Sequence, residues 1–165
     1  MTLPIAPVGY TVLLADPPWY YETWSAKGQT KTAHQQYACM TTPEICALRE
    51  TLGLDWIMAP DCACVIWATF PMLNHAQRVM AAWGFRYVTG GAWHKRTRYG
   101  KSAFGTGYVL RSAAELFLIG ERGDPPWRSR SERNVIEAPV RGHSRKPEDM
   151  YDKIESLLPG PYLEL

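Results

Sequence analysis

The sequence has no apolar stretch long enough to span a bilayer, and no charged-apolar-small pattern of a secretory signal opens it. A soluble, cytoplasmic chain with no membrane partner is therefore expected. Internal repeats, low-complexity tracts and linkers are also missing, which favours one domain over residues 1–165. Cysteine is scarce. Of the four, Cys62 and Cys64 form a C-x-C pair at the start of an apolar run, and no second Cys or His pair stands at zinc-site spacing. Cys39 and Cys46 add no such spacing, and His34 and His75 have no partner motif, so no metal site is expected. Buried free thiols in a reducing compartment are the simpler reading. Neither sign of charge prevails, since the net charge is only +2. Gly105-x-Gly107 lacks the following helix that a dinucleotide fingerprint needs.

Aromatic residues, by contrast, are plentiful, with seven tryptophans in 165 residues, enough for a dense core or for stacking against bases. The most informative tetrapeptide is Asp16-Pro17-Pro18-Trp19, directly after the apolar run 10–15. That run reads as a buried strand, so the Asp16 carboxylate arrives at a strand's carboxyl end, where open α/β sheets bind ligands. Two prolines fix φ, remove two N–H donors and hold the preceding residues extended. A stiff turn results, with a carboxylate, carbonyls expected to lack a neighbouring donor, and an indole beside them. Such a turn suits a planar amine, and adenine is the obvious one. Asp16 and the Pro17 carbonyl would accept its amino hydrogens, with Pro18 stiffening the turn and Trp19 walling the pocket. Acceptors out of the ring plane favour a pyramidal nitrogen and free its lone pair for attack on a methyl carbon. That is catalysis by positioning and electrostatic preorganisation.

Asp124-Pro125-Pro126-Trp127 repeats the tetrapeptide, but four residues separate it from its apolar run and Arg128-Ser129-Arg130-Ser131-Glu132-Arg133 follows. It reads as a loop element, not as a second active site. Basic residues cluster at His94-Lys95-Arg96, Arg98 and Lys101, at Arg128, Arg130 and Arg133, and at Arg141, Arg145 and Lys146. All three clusters fall in loops after strands, so one basic face toward nucleic acid is expected, against ordinary solvated loops.

Strands are predicted over 10–15, 62–69, 85–93, 115–119, 134–138 and 162–165. A long loop, 17–40, with Tyr20, Tyr21, Trp24, Lys27, Lys31, His34 and Tyr37, suits a lid over a base. Thr41-x-x-Glu44 is a capping box with Pro43 in the first turn, opening a helix through about residue 52. Pro71 and Pro147 open two more, the first ended by Gly84 and the second with Met150, Tyr151, Ile154, Leu157 and Leu158 on one face. Alternating strands and helices argue for an α/β fold with a mainly parallel sheet and helices on both faces.

Several pieces in order resemble the MT-A70 family of N(6)-adenine methyltransferases. They are Ala15-Asp16-Pro17-Pro18-Trp19, Tyr37 ahead of a Thr-Pro-Glu helix start, and Val65-Ile66-Trp67-Ala68-Thr69. Trp93-His94-Lys95, Gly107-Tyr108, Arg111 and Glu115 before Leu116-Phe117-Leu118-Ile119-Gly120 follow. Gly142-His143-Ser144-Arg145-Lys146-Pro147 and Leu158-Pro159-Gly160 complete the series. The resemblance implies a permuted, Rossmann-like methyltransferase fold and S-adenosylmethionine as cofactor. It implies that Lys146 reaches the methionine carboxylate or the substrate, with Asp16, His143 and Ser144 on the cofactor side. Tyr37, Trp67, Glu115 and Lys95 fall to the substrate side. There Trp67 weighs more as core than as contact, and Glu115 has Arg111 as its alternative partner. The expected substrate is adenine in DNA, flipped out of the duplex, with RNA as the alternative and a bacterial or phage origin. A protein partner or a second copy of the chain is admitted. In the family the last strand continues into Phe-x-Arg or Phe-Gly-Arg and a cofactor-holding segment. Here the sequence stops at Leu165, so a domain cut short is expected. Two other readings stand beside the enzyme: a catalytically silent nucleic-acid-binding subunit, and a structural α/β module of a phage or regulatory complex.

Overall fold

A computed structural model describes residues 6, 8–20, 38–107, 109–142 and 145–165. Six strands form one sheet: β1 (Tyr10–Ala15), β2 (Met58–Ala68), β3 (Arg86–Arg96), β4 (Ala114–Arg122), β5 (Val135–Pro139) and β6 (Tyr162–Glu164). Their order across the sheet is β5-β3-β4-β2-β1-β6. β1 is parallel to β2 and β6, and β3 to β5, whereas β4 runs antiparallel to both β2 and β3. The sheet is thus mainly parallel with one reversed strand. Apolar periodicity gives a strand's burial but not its direction, so β4's reversal has no signature in the sequence.

Alternate side chains of β1 and β2 feed two cores, as a period of two requires. On one face Leu13, Ala15, Cys62, Cys64 and Ile66 pack under helices α1 (Thr42–Thr51), α2 (Leu54–Ile57) and α3 (Leu73–Ala82). On the other, Val12, Leu14, Ala63, Val65 and Trp67 meet Met150, Ile154 and Leu158 of helix α4 (Asp149–Leu157) and its end. Helices therefore cover both faces. The α1 crossover from β1 to β2 and the α4 crossover from β5 to β6 run over opposite faces and meet beside β1. In open α/β sheets, ligands bind outside the carboxyl ends of the strands at such a change of side.

The capping box forms as predicted: Thr41 N–H donates to Glu44 Oε2 at 2.7 Å, and Glu44 N–H donates to Thr41 Oγ1. Trp83, fully buried at the end of α3, donates its indole N–H to Ile45 O at 2.9 Å and ties α3 to α1. Several boundaries differ from prediction. β3 runs on to Arg96, so His94, Lys95 and Arg96 stand in a strand and not in the loop after it, and β4 runs on to Arg122. Helix α4 starts at Asp149, two residues after Pro147. Pro71 lies in a 3₁₀ turn, Phe70–Met72, that precedes α3. β2 begins at Met58, four residues before the apolar run that marked it, because α2 delivers the chain to the sheet edge early. Cys62 and Cys64 are buried thiols, and burial pushes Cys64 well above the ordinary thiol range. No helix among the described residues is long and apolar enough to cross a membrane.

Candidate active site

Asp16 follows the last residue of β1, and its backbone N–H donates to Leu165 O at 3.1 Å. Its carboxylate Oδ2 lies 2.8 Å from Lys146 Nζ. Lys146 also sits 2.9 Å from Glu115 Oε1, and Lys95 Nζ lies 2.8 Å from Glu115 Oε2. The four side chains form one alternating series, Asp16, Lys146, Glu115, Lys95. β4's reversal makes it possible. Glu115 is near the start of β4, and that start lies at the same sheet edge as the ends of β1, β2 and β3 (Ala68 opposite Leu116, Trp93 opposite Glu115). Arg111, the alternative partner of Glu115, instead stands 5.5 Å from the Phe104 ring centre.

Exposure is lowest in the middle of the series. Glu115 and Lys146 retain 14% and 13% of side-chain accessibility, and Asp16 retains 38%. Asp16 is thus the carboxylate that an incoming molecule can reach. Two tryptophan rings floor the lysines: Lys146 Nζ is 5.4 Å from the Trp67 centroid and Lys95 Nζ is 5.0 Å from Trp93. Trp67 packs edge-on against Trp93 and Phe117 at 6.4 and 5.6 Å. A cation over an indole face is attracted by the ring quadrupole.

The two carboxylates titrate in opposite directions. Burial raises Asp16 above its ordinary value, and the single neighbour Lys146 only partly opposes it. Burial also disfavours ionised Glu115, but Lys146 and Lys95 together outweigh it and hold Glu115 below its ordinary value. For Lys146, burial is again the largest influence and lowers its value, yet Glu115 and Asp16 combined raise it. The pattern is that of a fixed, charged Glu115–Lys146 pair beside a carboxylate that burial makes a weaker acid.

Several expectations need correction. The Pro17 and Pro18 carbonyls do have donors: Trp19 N–H reaches Pro17 O and Met40 N–H reaches Pro18 O, both at 2.8 Å. The prolines remove their own N–H groups but not those of Trp19 and Met40. Trp19 does not wall an open pocket. It is 7% exposed in the core, with its indole N–H on Trp67 O at 3.0 Å. Trp67 is likewise buried and supports Lys146 from below. Tyr37, His143 and Ser144, and most of the expected lid, lie outside the described residues. Met40 pairs with Trp19 and Tyr20, so the two ends of that long segment are held together.

The second tetrapeptide makes the same local turn, Trp127 N–H to Pro125 O at 2.8 Å. It follows β4, so it lies at the opposite sheet edge, where Asp124 N–H meets Asp61 Oδ1. Arg128, Arg130 and Arg133 go with it. The three basic clusters therefore do not form one face, for the same reason that Glu115 joins the site: β4 runs backwards. The clusters after β3 and β5 do share an edge, and Val140 N–H donates to Arg96 O. There Glu137 pairs with Arg96, and Glu148 with Arg141 and Arg145.

The family model described as MT-A70 matches residues 10–165, nearly the whole chain. The chain belongs to the MT-A70 family. Among its relatives, an N(6)-adenosine-methyltransferase MT-A70-like protein of Arabidopsis thaliana is 27% identical over 152 residues, covering 91% of this chain and 20% of that protein. The N(6)-adenosine-methyltransferase subunit METTL3 of Danio rerio is 28% identical over 156 residues, covering 92% of this chain and 24% of that subunit. The type II methyltransferase M.MunI of a Mycoplasma species is 25% identical over 168 residues, covering 91% of this chain and 68% of that enzyme. The chain thus spans only about a fifth to a quarter of the plant and animal relatives. Both the MT-A70 match and the mixed α/β sheet agree with a methyltransferase fold.

Proposed function

We propose that the chain transfers a methyl group from S-adenosylmethionine to the exocyclic amino group of adenine in nucleic acid, DNA by preference. The observation that carries this reading is the half-exposed Asp16 carboxylate at the carboxyl end of β1, backed by a largely buried lysine–glutamate pair. The donor set fits the cofactor's zwitterionic methionine end, with Lys146 toward the carboxylate and Asp16 toward the ammonium or the target amine. When bound, the cofactor supplies an electrophilic methyl carbon.

The remaining work falls to the protein. Asp16 accepts a hydrogen from the adenine amine and holds the nitrogen with its lone pair free. As that nitrogen bonds to carbon it gains positive charge, and the adjacent carboxylate stabilises it. One amine proton must then leave. Asp16, whose acidity burial has weakened, can receive it and pass it to solvent. Glu115 keeps Lys146 charged and fixed, so that Asp16 faces one defined cation. The names of the relatives, adenosine methyltransferases and a type II methyltransferase, support an adenine in nucleic acid as the methyl acceptor.

Transfer of labelled methyl to an adenine-containing oligonucleotide tests the site. Asp16→Ala should abolish transfer with the fold intact, because it removes an acceptor and no core contact. Asp124→Ala should leave the rate within about twofold, as expected of a surface substitution away from the site. Equal losses in both variants would mean that the wrong tetrapeptide was chosen.

A further inference from the structure

We propose that the β3–β4 hairpin, through its described residues 97–107 and 109–113, is a base-stacking clamp that grips unpaired nucleotides flanking the target adenine. This rests on the methyltransferase reading for the identity of the target, but not for the contact itself.

The hairpin leaves β3 two residues after Lys95, so its root is part of the site. Ala103 N–H donates to Lys95 O at 2.8 Å, and Lys95 N–H donates to Ala113 O at 2.9 Å. His94 Nε2 lies 2.8 Å from Ser102 Oγ. Its tip is a built turn. Gly100 N–H donates to Thr97 O at 2.9 Å, Thr97 N–H reaches Lys101 O at 2.7 Å, and Gly100 takes φ +76°, where a side chain would be strained. Gly105 N–H on Ser112 O at 2.8 Å and Ser112 N–H on Thr106 O at 3.2 Å brace the other arm.

On this frame stand two exposed rings, Tyr99 at 73% and Phe104 at 67% exposure. Each has an arginine on it: the Arg98 guanidinium is 4.6 Å from the Tyr99 centroid, and that of Arg111 is 5.5 Å from Phe104. Residues 97–113 hold Arg98, Lys101 and Arg111 and no acidic residue. A planar ring with a planar cation beside it offers a π face to a base and a donor fork to the adjoining phosphate. That combination binds single strands with little sequence preference, because every base has a face to stack. A duplex hides those faces. The same exposed apolar residues could contact protein, but an unbroken cationic segment around two aromatic platforms matches a polyanion. The hairpin that carries both rings leaves the sheet at the edge where Asp16 sits, beside Lys95 and Glu115, and so on the side from which an extruded adenine would enter.

Fluorescence anisotropy distinguishes the outcomes. The probe is a labelled single-stranded oligodeoxynucleotide with one adenine, compared with the same strand carrying abasic residues on both sides of that adenine. The unaltered chain should bind the complete strand about tenfold or more tightly than the abasic one, the scale of one good base–aromatic stack. The double substitution Tyr99→Ala with Phe104→Ala should erase that difference and leave the weaker, abasic affinity unchanged. Phe104→Trp should keep the difference. Both rings are exposed, so the thermal midpoint should hold in all variants. No preference for the complete strand would overturn the clamp. So would equal loss on both strands in the double variant, or self-association through this hairpin without strand binding. Methyl transfer to the same strand is measured in parallel. Base-dependent binding with no transfer overturns the methyltransferase reading and keeps the clamp. Undiminished affinity and transfer in the double variant overturn the clamp and keep that reading.

Discussion

Asp16 and Glu115 share one lysine yet face opposite balances. Glu115 is held below its ordinary value, so its contribution to stability is present above its unfolded value and is lost as pH falls through the folded one. Asp16 is raised, so its linkage runs the other way. Its ionisation costs the folded state, and stability is recovered as pH falls through its folded value. Glu115→Gln should therefore destabilise the fold at neutral pH by about 3 kcal/mol, the low end for breaking a buried ion pair. The difference from the unaltered chain should shrink on acidification. Asp16→Asn should change stability little at neutral pH. Urea midpoints at neutral and acid pH measure both, and equal destabilisation by the two variants would refute the assignment. At this scale the sequence was legible where a motif tied a residue to its place: Asp16 after its strand, and Lys146 before Pro147. It was not legible where orientation decides. Whether Trp19 stacks on a ligand or fills the core depends on where its indole N–H finds an acceptor, and Trp67 O, 48 residues away, is the answer.

Among the elements, α1 and α3 are joined by the buried Trp83, beside the hydrogen bonds of Thr42 Oγ1 with His75 Nδ1 and of Arg49 Nη1 with Ala82 O. Trp83 fills the space between them with no exposure and satisfies its only polar group on Ile45 O. Trp83→Ala would remove that volume and leave the Ile45 carbonyl without this donor. A loss of about 3–5 kcal/mol is expected, typical of a buried aromatic truncated to alanine. Denaturant unfolding would show it, and a loss under about 1 kcal/mol would mean that the helices pack independently of this residue. Helix starts were readable from sequence because capping chemistry is local, and Thr41 with Glu44 behaves accordingly. The direction of β4 was not, because it is set by pairing with β2 and β3, which leaves no period in the chain.

At the scale of the whole molecule the charge is divided between two edges of the sheet. Lys101 and Arg111 stand at the carboxyl edge, and Arg128 and Arg130 at the far one. Binding of DNA should weaken with rising salt, as counterions released from phosphates dictate. Neutralising Lys101 and Arg111 should reduce the slope of log affinity against log salt by roughly 0.7–0.9 for each phosphate that the chain then leaves unneutralised. Neutralising Arg128 and Arg130 should leave it unchanged. Equal flattening by both pairs would mean that nucleic acid wraps round the sheet.

Because β4 turns back, Lys95 and Glu115 are anchored by neighbouring strands on either side of the 97–113 hairpin. Residues can be added to or removed from that excursion while both of its roots stay in register. Loop-closure entropy makes such changes inexpensive, about 0.6 kcal/mol for each doubling of length. The segment proposed to grip nucleotides is thereby separable from the edge that carries Asp16, and it can be exchanged like a cassette. Transplanting a hairpin of different length and sequence should alter which strands are gripped while Asp16, Lys146 and Glu115 keep their arrangement.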